Sequence, residues 1–275
     1  MTPHRIGIPA GDRQASPPPE GPRIASLVPS ATETLVALGL APCLVARTGF
    51  CIHPADAVRD VPKVGGTKDV NLHKLRRLMP SHVIVNVDEN RRETAEALRD
   101  FVPHVIVTHP RRPEDNLVLF EQLRAAFSDR PGVDERAAAL SAGFRAALAR
   151  CRAQAHPVEK VLYLIWREPW MTVARDTYIS TLLAEAGWHT LPDVDGGDHG
   201  AGRYPVLSGD EPWLRQIDRV LLSSEPYRFG PAHVAVAQAL CPQARVQLAD
   251  GELLSWWGAR GAQGLDYLLS LTAPG

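Results

Sequence analysis

Strand-like and helix-like segments alternate along nearly the whole chain, and this alternation restricts the fold more than any other feature. Apolar runs such as RIASLV and HVIVNV end in turn or cap residues and are followed by amphipathic stretches such as ETAEALRDF. Strands that alternate with helices form parallel sheets whose faces the helices cover. The second half repeats the pattern, because KVLYLIW precedes TYISTLLAEAG as RIASLVPS precedes ATETLVALG. The sequence therefore predicts an α/β protein with two similar parallel-sheet lobes.

A long helical segment separates the two halves. The run VDERAAALSAGFRAALARCRAQAH has apolar residues at helical spacing and contains no Gly/Pro-rich linker. Its length of about 24 residues gives a rod of about 35 Å. We predict a disordered tail over 1–22, an N-terminal lobe over 23–130, a linking helix over 131–156 and a C-terminal lobe over 157–275. An ordinary crossover helix on the surface of a single domain is the alternative.

Composition and charge limit the possible partners and the cellular location. The 275 residues carry a formal net charge of -1 without a dense Lys/Arg block, which argues against nucleic acid or an anionic membrane as the main partner. The N-terminal segment MTPHRIGIPAGDRQASPPPEGP lacks the continuous apolar region of a secretory signal. We therefore expect a cytoplasmic protein, or a periplasmic one if this N-terminus is not native. The four cysteines form no CxxC pair, which is typical of reduced thiols.

Candidate binding residues follow the predicted strands or lie in polar loops between them. Ligands of parallel α/β sheets bind beyond the carboxyl ends of the strands. Four of the six tryptophans lie in such turns, where they offer flat apolar walls to a small molecule. The candidates are Ser30, Phe50, Cys51, His53, Gly66, Thr67, Asp88, Asn90, Trp166, Arg167, Trp170, Arg203, Tyr204, Glu225, Tyr227, Trp256 and Trp257.

Structural roles are the alternatives for several of these residues. Cys51 and His53, two positions apart, suit the axial ligand of a chelated metal, or a structural thiol and a partly exposed imidazole. Gly66 belongs to a Gly-Gly pair that brings backbone close to a ligand or only forms a turn. Asp88 and Asn90 also suit a solvated helix start. The tryptophans also suit a hydrophobic core.

Several segments together resemble one known family. These are RIASLVPSATETLVALGL, the stretch from RTGFCIHP to VNVDENRRE, LIWREPWMTVARDTYISTLLAEAG, SSEPYRF and DGELLSWWGAR. They resemble the helical-backbone metal receptor superfamily, the class III periplasmic-type substrate-binding proteins of vitamin B12, haem and iron-siderophore importers. The similarity extends over roughly Pro22 to Leu271 and is greatest to the cobalamin-binding branch.

The resemblance implies two α/β lobes bridged by one long helix, with the ligand in the cleft between the lobes. It implies a cobalamin, haem or iron-siderophore as the bound ligand, with no catalytic cofactor. Glu33 and Glu225 fall near the positions where such proteins present acidic residues to a membrane permease. The absence of an export signal departs from the pattern of importer proteins and weakens this last expectation.

We interpret the sequence as that of a monomeric, non-enzymatic protein that binds a cobalamin-like corrinoid or another metal chelate. No GxSxG, HExxH or GxGxxG frame indicates catalysis. One alternative is a metal-dependent enzyme or a metallochaperone on the same scaffold that uses Cys51 or His53. Another is a protein-interaction module that has lost its ligand.

Overall fold

The computed structural model describes residues 21–273. The N-terminal half contains a four-stranded sheet in the order β2-β1-β3-β4, with every neighbouring pair parallel. Its strands are β1 (Ile24–Ser26), β2 (Leu44–Arg47), β3 (His82–Asn86) and β4 (His104–Thr108). Its helices are α1 (Pro29–Ala37), α2 (Ala55–Val58), α3 (Leu72–Arg77), α4 (Arg92–Leu98) and α5 (Asp115–Phe127). The tail predicted over 1–22 lies outside the described residues except for its last two positions.

The C-terminal half contains a second four-stranded parallel sheet. Its strands are β5 (Glu159–Leu164), β7 (Trp188–Thr190), β9 (Arg219–Ser223) and β10 (Arg245–Ala249), in the order β10-β9-β5-β7. Counted within each half, both sheets have their second strand at one edge, then the first, third and fourth. This common topology confirms the predicted two-lobed α/β fold. The helices of this half are α7 (Tyr178–Ala184), α8 (Val234–Leu240), α9 (Gly251–Ser255) and α10 (Gly261–Thr272).

Local sequence features explain where several helices begin. Pro29 occupies the first turn of α1, where its fixed φ favours the helix and its missing N–H is not needed. The Asn71 side chain accepts a hydrogen bond from the backbone N–H of Lys74 and caps α3. Thr177 caps α7 through the backbone N–H of Ser180. Asp176, one residue before this cap, forms ion pairs with Arg111 and Arg203 instead.

One helix, α6 (Val133–Arg152), connects the two halves without a break. At 1.5 Å per residue its 20 residues span about 30 Å. One continuous hydrophobic cluster includes Ile84 of the first sheet, Phe144 of α6 and Leu221 of the second sheet. The two sheets therefore share a core. No helix within residues 21–273 is both long and apolar enough to cross a membrane.

Two short features of the C-terminal half were not predicted from the sequence: strand β7 and a small antiparallel pair. Strands β6 (Trp170–Met171) and β8 (Val206–Leu207) pair in the C-terminal half. Two-residue strands are too short to show an alternating pattern, so periodicity cannot reveal them. The pair holds the polypeptide after β5 against the end of the 192–205 loop.

Candidate functional site

The carboxyl-terminal edges of the two sheets face each other across a seam between the lobes. His53, which follows β2, lies 3.3 Å (Nε2 to Oε1) from Glu252, which follows β10. Asp88, which follows β3, lies 2.7 Å (Oδ1 to Nε) from Arg203 in the 192–205 loop. Both contacts join opposite lobes, so the turns after the strands of each half meet at one surface, as ligand sites in parallel α/β sheets require.

A first network of charged side chains bridges one part of the seam. The Arg260 guanidinium forms an ion pair with Glu33 of α1 at 2.6 Å and a second ion pair with Glu252. Glu252 also contacts His53. The backbone N–H of Ala259 donates to Thr34 Oγ1 at 3.0 Å. Glu33 is thus engaged in an interlobe contact, and its predicted role toward a permease stays a prediction.

A second network is centred on Arg203, whose side chain is fully buried. Its guanidinium contacts Asp88 at 2.7 and 3.1 Å, Asp176 at 3.5 Å and the Gly197 carbonyl at 2.9 Å. Arg111 reaches across the seam to Asp176 at 2.7 Å. A buried guanidinium needs this many acceptors because removing its charge from water costs several kcal/mol. Arg203 is therefore held between the lobes.

Asp88 is the acidic centre of this second network. Burial alone would raise the pKa of Asp88, but the neighbouring His109 and Arg203 side chains outweigh burial and hold the pKa below its usual range. The His109 Nε2 atom lies 3.6 Å from Asp88 Oδ2. Asp88 is thus ionised at neutral pH, and its charge is compensated by Arg203.

An aromatic cluster covers the turns after β5 and β9. Trp166 is 40% exposed and meets the Tyr227 ring edge-on at a centroid distance of 5.5 Å. Trp170 is half-buried and stacks on Phe229 at 6.1 Å, with the Arg167 guanidinium 5.9 Å from its ring centroid. Trp166 is thus the tryptophan of this cluster with a large free surface, available for a flat apolar ligand.

The N-terminal lobe also presents aromatic surface after β2. Phe50 is 62% exposed, which is unusual for a phenylalanine. Its ring packs beside Gly66, where an added Cβ would lie 3.3 Å from the Phe50 Cε2 atom. Thr67 follows Gly66 and accepts a hydrogen bond from the Asn90 side chain through its carbonyl. The predicted residues Phe50, Gly66 and Thr67 therefore lie together.

Other predicted residues are occupied by contacts inside the protein. Cys51 is fully buried, its Sγ lies 3.1 Å from Thr48 Oγ1, and burial raises the pKa of its thiol. The Asn90 side chain bonds to backbone groups of Asn86, Leu27 and Thr67. Their geometry therefore favours a structural role for both.

The remaining predicted residues differ in exposure. Trp257 belongs to the shared core and is 5% exposed, whereas Tyr204 is half-buried at the seam. Ser30 is buried at the start of α1, and its hydroxyl has no hydrogen-bond partner within residues 21–273. Trp256 donates from Nε1 to Glu225 Oε2 at 2.9 Å, and burial raises the pKa of Glu225. Glu225 thus faces the seam, and one of its two carboxylate oxygens already accepts a hydrogen bond from Trp256.

Glu89 is a residue of this site that is not among the candidate binding residues listed from the sequence, although its neighbours Asp88 and Asn90 are. It follows Asp88 in the turn after β3, and its backbone N–H donates to the Asn86 side chain. No ion pair or hydrogen bond satisfies its carboxyl group within residues 21–273. Burial raises the pKa of Glu89 to about 8, with Lys68 lowering it and Glu225 and Asp88 raising it. Glu89 and Glu252, like His109, follow strands, and this position is the sequence signal that marks them as candidates.

A Glu89→Gln substitution should stabilise the protein as the pH rises. Between the unfolded pKa near 4.5 and the folded pKa near 8, the unfolded chain ionises Glu89 while the native state keeps it protonated. The native state therefore loses stability through this window, and glutamine removes the loss. We expect Glu89→Gln to raise the free energy of unfolding by about 2 kcal/mol at pH 8 and to leave it unchanged at pH 4. The gain at pH 8 is smaller than the full linkage value because the Glu89 side chain is only half-buried. Urea unfolding at both pH values measures the difference, and Glu93→Gln, at an exposed position, is the control. Equal unfolding curves for Glu89→Gln and wild type at pH 8 would contradict the prediction.

Comparison with known proteins identifies the family. The family model for periplasmic binding proteins matches residues 24–223, most of the chain. The chain belongs to the periplasmic binding protein family. Within this family, the vitamin B12-binding protein of Vibrio parahaemolyticus serotype O3:K6 is 30% identical over 204 residues, 74% of this chain and 70% of the relative. That of Vibrio vulnificus is 27% identical over 203 residues, 73% and 71% of the two chains.

Solved structures of the family share the fold. The periplasmic vitamin B12 binding protein BtuF of Vibrio cholerae superimposes with a TM-score of 0.74 at 19% identity, over 90% of this chain and 95% of that one. The periplasmic haem-binding protein HutB of Vibrio cholerae also superimposes with a TM-score of 0.74, at 21% identity, over 92% of this chain and 99% of that one. The predicted superfamily is thus confirmed. Both of these solved structures are of periplasmic proteins, so the comparisons do not support the cytoplasmic location expected from the sequence.

Proposed function

We propose that the protein binds a flat metal chelate, preferentially a corrinoid of the vitamin B12 type, between its two lobes without transforming it. The observation that carries this proposal is the exposed aromatic surface on both facing edges, Phe50 from one lobe and Trp166 from the other. Exposed rings next to polar groups are the usual composition of a site for a large, partly apolar small molecule. Two relatives named as vitamin B12-binding proteins point to the same ligand class.

The side chains that could coordinate a metal favour a corrinoid over haem. A corrinoid carries its own axial ligands, whereas haem commonly takes one from the protein. Among the predicted site residues, the His53 imidazole is paired with Glu252 and the Tyr227 hydroxyl contacts His233 at 3.2 Å. The Cys51 thiol is buried. An axial role for His53 would therefore require His53 to leave Glu252.

The same contacts argue against an enzyme or metallochaperone that uses Cys51 and His53. A thiol whose pKa is raised by burial stays protonated, and a protonated thiol is a poor nucleophile and metal ligand. Capture and release of an intact ligand, the activity of a substrate-binding protein, is the simpler assignment. Docking to a membrane permease through Glu33 and Glu225, a periplasmic location and a monomeric state complete the proposal.

Titration of the purified protein with cyanocobalamin, haemin and a ferric siderophore tests the function. We expect tryptophan fluorescence to be quenched by cyanocobalamin at low concentration, with the ligand recovered unchanged by chromatography. The visible spectrum of the bound corrinoid should be the same in a His53→Ala variant. Absence of binding to any of the three probes would overturn the proposal. Tight binding of haemin, with an absorbance band that shifts in His53→Ala, would assign haem in place of the corrinoid.

A further inference from the structure

A cavity of about 600 Å³ lies at the seam beside the turn that follows β3. We call it the basic cavity; its walls include Lys68, Asp88, Arg91, Arg92, His199 and Tyr204. The first four belong to the N-terminal lobe and the last two to the 192–205 loop of the other lobe. Its volume is within the range of small-molecule pockets. It adjoins Asp88 and Tyr204, which we predicted to contact the ligand.

The walls carry three cationic side chains, Lys68, Arg91 and Arg92, and two acidic ones, Asp88 and Glu93. Arg91 and Arg92 form ion pairs with Asp69 and Glu96, at 3.1 and 2.8 Å, on the exposed outer side. Lys68 differs, because its ammonium group has no carboxylate partner within residues 21–273. Its Nζ atom donates to the Asp88 backbone carbonyl at 2.7 Å, which leaves two of its three N–H donors unused.

The acidic groups nearest to Lys68 do not neutralise it. The Asp88 carboxylate is turned to Arg203, at 2.7 and 3.1 Å, and to His109. Glu89, with a pKa of about 8, is mainly uncharged at neutral pH. An ammonium group with free donors and no counter-charge is a recognition element for an anion.

The other wall of the cavity is held at a defined place. Asp198, next to His199, forms an ion pair with Arg111 at 2.8 Å. The Gly196 backbone N–H donates to Asp176 at 2.8 Å, and the Gly197 carbonyl accepts from Arg203. These contacts hold the three residues that precede His199, whose imidazole forms no hydrogen bond within the described residues. Lys68 and His199 thus offer donors from opposite lobes.

We propose that the basic cavity binds an anionic group on the periphery of the chelate, a phosphate or a carboxylate, between Lys68 and His199. This inference rests on the proposed function and adds to it a charge requirement. Both candidate ligand classes contain such a group, because cobalamin carries a phosphodiester in its nucleotide loop and haem carries two propionates. The anion would sit off the ring system, while Phe50 and Trp166 contact the ring.

Matched ligands with and without the anionic group test the inference. Cobinamide lacks the phosphodiester of cobalamin, and haemin dimethyl ester lacks the free carboxylates of haemin. Whichever of the two pairs binds to the wild type is used for the comparison. In a Lys68→Met variant, the dissociation constant for the member with the anionic group should rise about tenfold, which is the effect of losing one charge-assisted hydrogen bond. The dissociation constant for the member that lacks the anionic group should not change. Lys74→Met, on the exposed side of α3, is the control and should bind every probe as wild type does.

Each other outcome counts against a specific statement. Equal losses for both members of a pair in Lys68→Met, or no loss for either, would overturn the anion site and leave the proposed function intact. Failure of wild type to bind all four probes would overturn the proposed function itself. If Lys68→Met does not fold, salt dependence in wild type decides. Raising the salt concentration should then weaken binding of the probe that carries the anionic group more than binding of its counterpart without that group, and equal weakening would overturn the inference.

Discussion

An Asp88→Asn substitution should lower the free energy of unfolding by about 3 kcal/mol, because it leaves the Arg203 guanidinium buried with too little compensating charge. Arg203 has no exposed side-chain surface, and Asp88 is its nearest carboxylate at 2.7 Å. Asp176, at 3.5 Å, also serves Arg111. Asparagine keeps the shape and one acceptor but removes the charge. Urea unfolding at pH 7 measures the loss.

Two further variants separate charge from packing at this site. In the double variant Asp88→Asn with Arg203→Met no buried charge remains, so we expect it to be more stable than Asp88→Asn alone. Asp56→Asn removes an exposed ion pair with Arg59 and should change stability by less than about 0.5 kcal/mol. The assignment of a buried interlobe charge pair would be wrong if Asp88→Asn were no more destabilising than Asp56→Asn.

A Trp166→Ala substitution should weaken binding of cyanocobalamin by about 1–3 kcal/mol, a 5- to 150-fold rise in the dissociation constant. Trp166 keeps 40% of its surface exposed in the absence of ligand, and its edge-on contact with Tyr227 leaves a face of the indole free. Because the ring is exposed, its removal should change folding stability little. Isothermal titration calorimetry measures the loss, and Trp166→Phe should restore part of it.

Trp213 provides the matched control for loss of an indole outside the site. It precedes β9, at the opposite end of the strand from the seam, and packs against the smaller core of the C-terminal lobe. Trp213→Ala should lower stability and leave the affinity of the folded protein unchanged. Equal affinities of Trp166→Ala and wild type would remove Trp166 from the ligand wall.

The sequence predicted the fold well because the fold depends on local patterns. Apolar runs of the right length are visible without three-dimensional information, and the repeated strand–helix order predicted two similar parallel-sheet lobes. The short pair β6 and β8 was missed because two residues cannot show a period. The observed α6, Val133–Arg152, lies within the predicted linking helix over 131–156, beginning two residues later and ending four residues earlier.

The site was less predictable because its key contacts join residues far apart in the chain. Asp88 and Arg203 were both candidates, but no sequence pattern shows that they meet across 115 positions. Trp166, Trp256 and Trp257 are alike as post-strand aromatics, yet only the first is substantially exposed. The charge on Lys68 is uncompensated because the Asp88 carboxylate contacts Arg203, so that Lys68 reaches only the Asp88 backbone carbonyl.

Hydrophobic side chains of both sheets pack into one cluster around α6, so moving the sheets apart would expose that cluster to water. Each Å² of apolar surface exposed costs about 25 cal/mol, which makes a wide opening of the lobes unfavourable. Adjustment to a guest is therefore expected in the loops, while the spacing between the two edges stays nearly constant. A molecule that is too thick is rejected by its dimensions alone, whatever groups it carries at its rim.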